Sequence, residues 1–333
     1  MFKPGMVRFL LATIVVLYHI TKFVFLGFLA VYCFFILSGY WVSFMYEKKY
    51  SQKKNPLLVF YASRLFRLLP VFYLISIPTL ILLYFFDPLF PTAINFFNAD
   101  RFSYVFSSVF LLGYNQLQYI PLLPAWSLDI EWQFYLVLPL LFYLMKSNFT
   151  RLFLLISSFI ISMFIIVYYP HLYISKTLFK YLFYFIIGII IHKNKIAFTP
   201  KTEWIFNMLF LIILILNYVI PELSSLVRDE TSTYNEFFNL LGAFLLLPLL
   251  ANSVLRKSNN KDMLLGGVSY VLYLSHWMFI IPYNYYIMEL SKRDRIPYSI
   301  VYLVLTYSFS FFIFIYFDRP IDEKRKKWVN NQP

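Results

Sequence analysis

Residues Val7 to Ile20 read VRFLLATIVVLYHI, an apolar run with Arg8 near its start and His19 deep inside it. Nearly every position between the two is apolar, so the run predicts a membrane helix. On such a helix, at about 100° per residue, the eleven steps from Arg8 to His19 return the histidine to within roughly 20° of the arginine face. At about 1.5 Å rise per residue it also lies roughly 16 Å deeper. Arg8 stays near an interface. His19 is expected near the bilayer's middle, where an ionisable group is expensive and by default marks a site. The plainer reading is a histidine that hydrogen-bonds a neighbouring helix.

Composition carries that reading to the whole chain. Apolar residues make up 61% of the 333 residues, aromatics 23% and charged residues only 14%, against about a quarter charged in soluble domains. The expected fold class is therefore all-α, a polytopic membrane helical bundle. Its net charge of +13 is read as the placement of lysines and arginines about a membrane, with lipid and not nucleic acid as the partner. Cys33 is the only cysteine, which excludes an intramolecular disulfide and a cysteine-based metal site. No phosphate-binding glycine loop, metal-ligand pattern or nucleophile elbow is present, so no metal is expected. The N-terminal run has no small-residue cleavage site and continues into a second apolar segment, as a retained helix does.

Charge placement sets the expected topology. Gly27 to Phe44 returns across the membrane and meets Lys48, Lys49, Lys53 and Lys54, a basic loop that belongs inside and takes the N-terminus with it. LLVFYASRLFRLLP, from Leu57 to Pro70, reads as an amphipathic surface helix that becomes the third span. The stretch 104–117 is short and polar-interrupted. If it crossed, the basic loops at 146–151, 193–201 and 256–261 would all lie outside; as a re-entrant or surface element it turns each of them inward. On that reading 21 of the 29 lysines and arginines sit on or near the inner face. About ten transmembrane helices result, at 7–26, 27–46, 67–86, 126–145, 151–169, 177–192, 203–220, 235–254, 267–288 and 297–317, with both termini cytoplasmic. Residues 1–320 form one transmembrane domain and 321–333 a basic cytoplasmic tail.

Within this frame several constellations could carry chemistry. Arg64 and Arg67 stand at i and i+3 ahead of Pro70, sharing a helix face with their planar donor forks on the inner side. With Arg8 they suit phosphates, or else anionic lipid. FFILSGY places Ser38 and Gly39 inside the second span, where glycine permits close helix packing or makes room for a thin ligand chain. WSLDIEWQFY, from Trp126 to Tyr135, sets Asp129 at the outer interface and Glu131 deeper, where it must be protonated, paired or hydrogen-bonded. Trp126 and Tyr135 also fit an interfacial aromatic belt. SYVLYLSHW carries the second deep histidine, His276, and Asp318-Arg319-Pro320 closes the last span.

Taken together, Arg8-x10-His19, FFILSGY, RLFRLLP, WSLDIEWQFYL, SYVLYLSHW and the terminal DRP resemble the membrane-bound acyltransferase-3 family, the bacterial O-acyltransferases of surface carbohydrates, from about Arg8 to Pro320. The family usually ends its last span in Glu-Arg-Pro, where this chain has Asp318. The resemblance implies transfer of an acyl group, commonly acetyl from acetyl-CoA, to a sugar hydroxyl of a surface polysaccharide, lipopolysaccharide or lipid-linked glycan, in the inner (plasma) membrane of a bacterium. It makes His19 and Glu131 the catalytic residues, His19 as general base or transient acyl carrier with Glu131 holding its tautomer. Arg8, Arg64, Arg67, Ser38 and Gly39 would bind the acyl-CoA, and Trp126, Ser127, Tyr135, His276, Asp318 and Arg319 would bind the acceptor or support the site. Two rival classes are a glycan transporter or flippase with an intramembrane proton relay, and a purely structural membrane subunit.

Overall fold

A computed structural model describes residues 2–21, 25–230, 232–291 and 293–333. The chain is 84% helical with no strand among the described residues. The helices are α1 (Pro4–Ile20), α2 (Gly27–Met45), α3 (Pro56–Phe86), α4 (Phe90–Ala99), α5 (Arg101–Phe110), α6 (Trp126–Leu144), α7 (Asn148–Tyr168), α8 (Leu178–Asn194), α9 (Pro200–Val219), α10 (Pro221–Arg228), α11 (Thr233–Leu245), α12 (Leu247–Leu255), α13 (Asn260–Ile287), α14 (Arg295–Ile313) and α15 (Arg319–Asn331).

Every expected span contains a helix. Seven among the described residues are long and apolar enough to cross a membrane, and an eighth is obtained if α11 and α12, bent by 42° at their junction, count as one. Pro248 lies in the first turn of α12, where the missing N–H and fixed φ accommodate the break. The segment 104–117 holds the end of the ten-residue α5 and a 3-10 turn, Tyr114–Gln116; α5 is about 15 Å long and too short for a hydrocarbon core of about 30 Å. The surface helix and third span are one continuous 31-residue helix, α3, with Pro70 and Pro78 inside it.

The helices gather into two compact units. The first comprises Met1–Lys48 and Val137–Gly266. At its centre α2 lies against α8 so closely that a Cβ on Gly39 would stand 2.2 Å from the Phe185 carbonyl oxygen, and one on Gly188 2.1 Å from that of Ile36. Small residues permit this backbone approach, which is how helices pack where lipid supplies no hydrophobic drive. The rings of Tyr32 and Tyr184 stack beside the contact with centroids 4.4 Å apart. α1 is anchored at its start by Asp262, whose carboxylate accepts from the backbone N–H groups of Gly5 (3.1 Å) and Met6 (2.8 Å), two of the donors a helix start leaves unsatisfied.

The second unit comprises Lys49–Leu136 and Gly267–Pro333. Its long α3 buries Phe60, Ser63, Arg64, Leu68, Val71, Phe72 and Ile75, a stripe at helical spacing. α14 passes through a π-helical turn, Phe314–Asp318, directly into α15. The tail expected at 321–333 is thus a helix, and it is packed on α3, with the Phe66 and Trp328 rings 6.2 Å apart and Lys53 Nζ donating to the Gln332 carbonyl at 2.6 Å.

Candidate active site

In the first unit the opening run forms α1 as expected, so the Arg8 to His19 relation holds along one continuous helix. The depth of His19 is a correction. α1 has 17 residues and ends at Ile20, which puts His19 in its last turn and not midway along a span. The chain leaves the helix because Thr21 adopts extended backbone (φ −124°, ψ 133°), while its hydroxyl donates back to the Leu17 carbonyl at 2.8 Å. Arg8 and His19 are both half-buried. The His19 ring meets Tyr18 edge-on at 4.8 Å, and the Tyr18 hydroxyl is bonded to Glu230. Tyr18 in turn lies over Gly27, where a Cβ would come within 2.7 Å of its ring.

At Gly39 the space its missing side chain leaves is filled by the backbone of α8, the close packing that glycine permits. Ser38, beside it, is half-buried.

This unit also holds a network that the sequence did not single out. Lys180 donates to Glu236, and the Tyr32 hydroxyl donates to the other oxygen of the same carboxylate. Lys180 is 8% exposed, and its ammonium lies 5.4 Å from the Tyr181 ring centroid. Charges this deep persist only when paired and hydrogen-bonded. Lys180 looks like one more basic residue in the sequence, and only its packing reveals the pair.

In the second unit the two arginines of RLFRLLP part company. Arg67 makes a two-bond contact from Nη1 to both oxygens of Asp318, at 2.8 and 3.0 Å, and lies 4.8 Å over the Tyr270 ring. Its charge is met by a carboxylate that is 3% exposed. Arg64 is the more buried of the two, at 8%, but no carboxylate stands within ion-pairing distance of it among the described residues. It donates to the Tyr50 hydroxyl at 2.8 Å and is wrapped by the rings of Tyr50, Phe60 and Tyr135 at 5.5 to 5.9 Å. Through Tyr135 it is linked to Glu131, whose Oε1 accepts from the Tyr135 hydroxyl at 2.5 Å. Glu131 and Tyr135 are i and i+4 on α6, the spacing that brings side chains together on a helix.

Asp129 is a second correction. Expected at a solvated interface, it is fully buried. Its carboxylate accepts from the backbone N–H groups of Gly113 (3.0 Å) and Asn115 (2.9 Å) and from Gln133 Nε2 (3.0 Å). These bonds hold a turn in which Leu111 and Gly113 both have positive φ, 58° and 77°, a conformation uncommon for leucine. Further ties fix the same loop: the Tyr114 hydroxyl accepts from the Leu122 N–H at 3.0 Å, and the Tyr119 hydroxyl donates to Asp87 at 2.5 Å. Burial, then the Asp87 carboxylate, push the Tyr119 hydroxyl above its usual range.

SYVLYLSHW packs against this loop. The Trp277 indole donates to the Pro121 carbonyl at 3.1 Å, and the Tyr273 and Ser127 hydroxyls are 2.7 Å apart. His276 is fully buried near the middle of α13, with Nδ1 3.2 Å from the Leu272 carbonyl oxygen one turn back, and its own carbonyl accepts from the Tyr302 hydroxyl at 3.1 Å. Trp126 is half-buried at the head of α6. Arg319 is an exposed residue paired with Glu323 at 3.0 Å, a surface pair of little energetic weight. Among the described residues no group of three or more His, Cys, Asp or Glu side chains is placed to hold a metal ion.

A family model described as an acyltransferase domain, acyltransferase-3, matches residues 5–315. Among curated proteins, O-acetyltransferase OatA of Staphylococcus aureus strain NCTC 8325 / PS 47 is 32% identical over 157 residues, 45% of this chain and 26% of that protein. OatA of strains COL and MRSA252 matches to the same extent. The aligned part thus spans about a quarter of the length of these relatives. No solved structure matches.

Proposed function

The chain belongs to the acyltransferase-3 family, and from that we propose that it is a membrane O-acetyltransferase, moving an acetyl group from acetyl-CoA on the cytoplasmic side to a hydroxyl of a surface or lipid-linked carbohydrate. The family match over residues 5–315 carries this reading, supported by the O-acetyltransferase activity in the name of the Staphylococcus aureus relatives. In the proposed reaction the sugar oxygen attacks the thioester carbonyl and loses its proton to His19. The carbon–sulfur bond breaks, and the departing thiolate takes a proton to leave as the free thiol. If His19 carries the acetyl group instead, the same bonds form and break in two steps.

His19 suits this role because an imidazole exchanges protons near neutral pH and because Arg8, one helix face below it, suits an anionic donor. Glu131, held by Tyr135, is the proposed second catalytic group. The test is mass analysis of surface glycans from cells with and without the protein, together with free-thiol release from acetyl-CoA by the purified chain. An acetyl mass difference and thiol release are expected. Glycans of unchanged mass and no thiol release would sink the reading. The transporter alternative draws on the buried Lys180–Glu236 pair and the bent α11–α12, and it requires glycan movement without acetyl-CoA.

A further inference from the structure

Helix α15 begins after the family-matched region ends at residue 315, and it delivers a third arginine to α3. Arg325 Nη1 donates to the Ser63 hydroxyl at 2.7 Å and reaches the Tyr50 hydroxyl at 3.4 Å. Tyr50 and Ser63 are themselves bonded at 2.8 Å, and the same Tyr50 hydroxyl accepts from Arg64. Two guanidinium groups therefore converge on one phenol oxygen. Arg64 Nε, in addition, is buried with no hydrogen-bond partner, a costly state for a charged donor.

Charge balance points the same way. Lys49 lies within electrostatic reach of Lys53, Arg325 and Lys326. The carboxylate ion-paired within this group is Asp322, 2.7 Å from both Arg325 and Lys326. Asp318 is already committed to Arg67. Arg64, Arg325, Lys326, Lys49 and Lys53 thus outnumber the carboxylates that act on them, Asp322 and, at Arg64, Glu131, and like charges gathered on a partly buried surface repel. An anion relieves that repulsion. Planar guanidinium forks favour phosphate oxygens, which accept far more strongly than a phenol does.

We propose that α15 completes an anion site in this unit, in which Arg64 and Arg325, converging at Tyr50 and Ser63, bind a phosphate-bearing ligand. The shared chemistry is a phosphate ester, from the nucleotide end of an acyl-CoA or from a phospholipid headgroup. The first source rests on the donor reading of the preceding subsection; the second does not. Arg67 is assigned a structural role as the counter-ion of Asp318.

The test uses the full chain in lipid nanodiscs and two variants that remove one positive charge each from the same helix, Arg325→Gln and Lys324→Gln, the latter at an exposed position. Titration with coenzyme A should show Arg325→Gln weakened about tenfold or more, as for a lost charge-assisted hydrogen bond, with Lys324→Gln near wild type. If the wild-type chain binds no coenzyme A, the donor reading fails, and the thermal shift on replacing phosphatidylcholine by phosphatidylglycerol decides. Its loss in Arg325→Gln but not Lys324→Gln supports the site with a lipid headgroup as ligand. If Arg325→Gln does not fold, Arg325→Lys takes its place, with partial loss expected because the charge remains without the fork. Equal behaviour of the Arg325 and Lys324 variants in both titrations would overturn the proposal.

Discussion

Under the proposed function single residues divide into those expected to do chemistry and those that hold the fold, and the two histidines illustrate the division. His276 is fully buried in α13, its carbonyl accepting from Tyr302 of α14, whereas His19 is half-buried at a helix end. His19→Ala is expected to keep the wild-type melting temperature and lose roughly 10²–10⁴-fold in acetyl transfer, the usual worth of general-base catalysis. His276→Ala should lower the melting temperature, since it opens a cavity in packed surroundings. Turnover assays and thermal unfolding on both proteins decide, and a His19→Ala enzyme near wild-type rate would remove His19 from catalysis. Arg67 and Asp318 give a second test. Arg67→Met alone strands a carboxylate that is 3% exposed and should cost roughly 3–5 kcal/mol, whereas Arg67→Met with Asp318→Leu should be close to neutral. Equal stability of the single and double variants would show that the pair carries no structural load.

At the scale of elements, the α2–α8 contact governs the first unit because two backbones meet at glycine. An added methyl at Gly188 would stand 2.1 Å from the Ile36 carbonyl oxygen and 2.6 Å from the Tyr40 nitrogen, while at Gly242 it meets the tip of the Leu29 side chain at 2.8 Å. A rigid backbone cannot give way, but a leucine tip can rotate. Gly188→Ala is therefore expected to lower the yield of folded protein severely and Gly242→Ala only slightly, as monodisperse recovery in detergent would show; the reverse order would mean that α2 and α8 are not packed this way. RPIDEKRKKWVNN reads as a solvated basic tail when only its charges are counted. Its pairs at i, i+3 and i, i+4, Arg325 and Lys326 with Asp322 and Arg319 with Glu323, were the available sign of a helix.

For the whole molecule, the loop charges lead us to expect Lys195 inside and Ser225 outside. Single cysteines at these positions, in a chain whose native Cys33 is fully buried, should label from opposite sides of sealed vesicles. Labelling of both from one side would break the ten-span topology, and labelling of Lys195 from outside with Ser225 from inside would mean that 104–117 crosses.

The helical membrane character of the chain, the position of nearly every helix and the residue types from which a site could be built were legible in the sequence, because apolar run length and charge placement answer to the bilayer and not to neighbouring helices. The sequence also brought Arg8 and His19 to one helix face, since that relation depends only on helix geometry. Tertiary structure decided what depends on partners distant in the chain. It matched Arg67 with Asp318 and left Arg64 to aromatic rings, filled the space at Gly39 with α8, buried Asp129 beneath two backbone N–H groups and brought Arg325 to Ser63. Arginines three residues apart look alike in a sequence; the carboxylate 251 positions away that pairs with one of them is supplied only by folding, because ion pairing depends on distance in space.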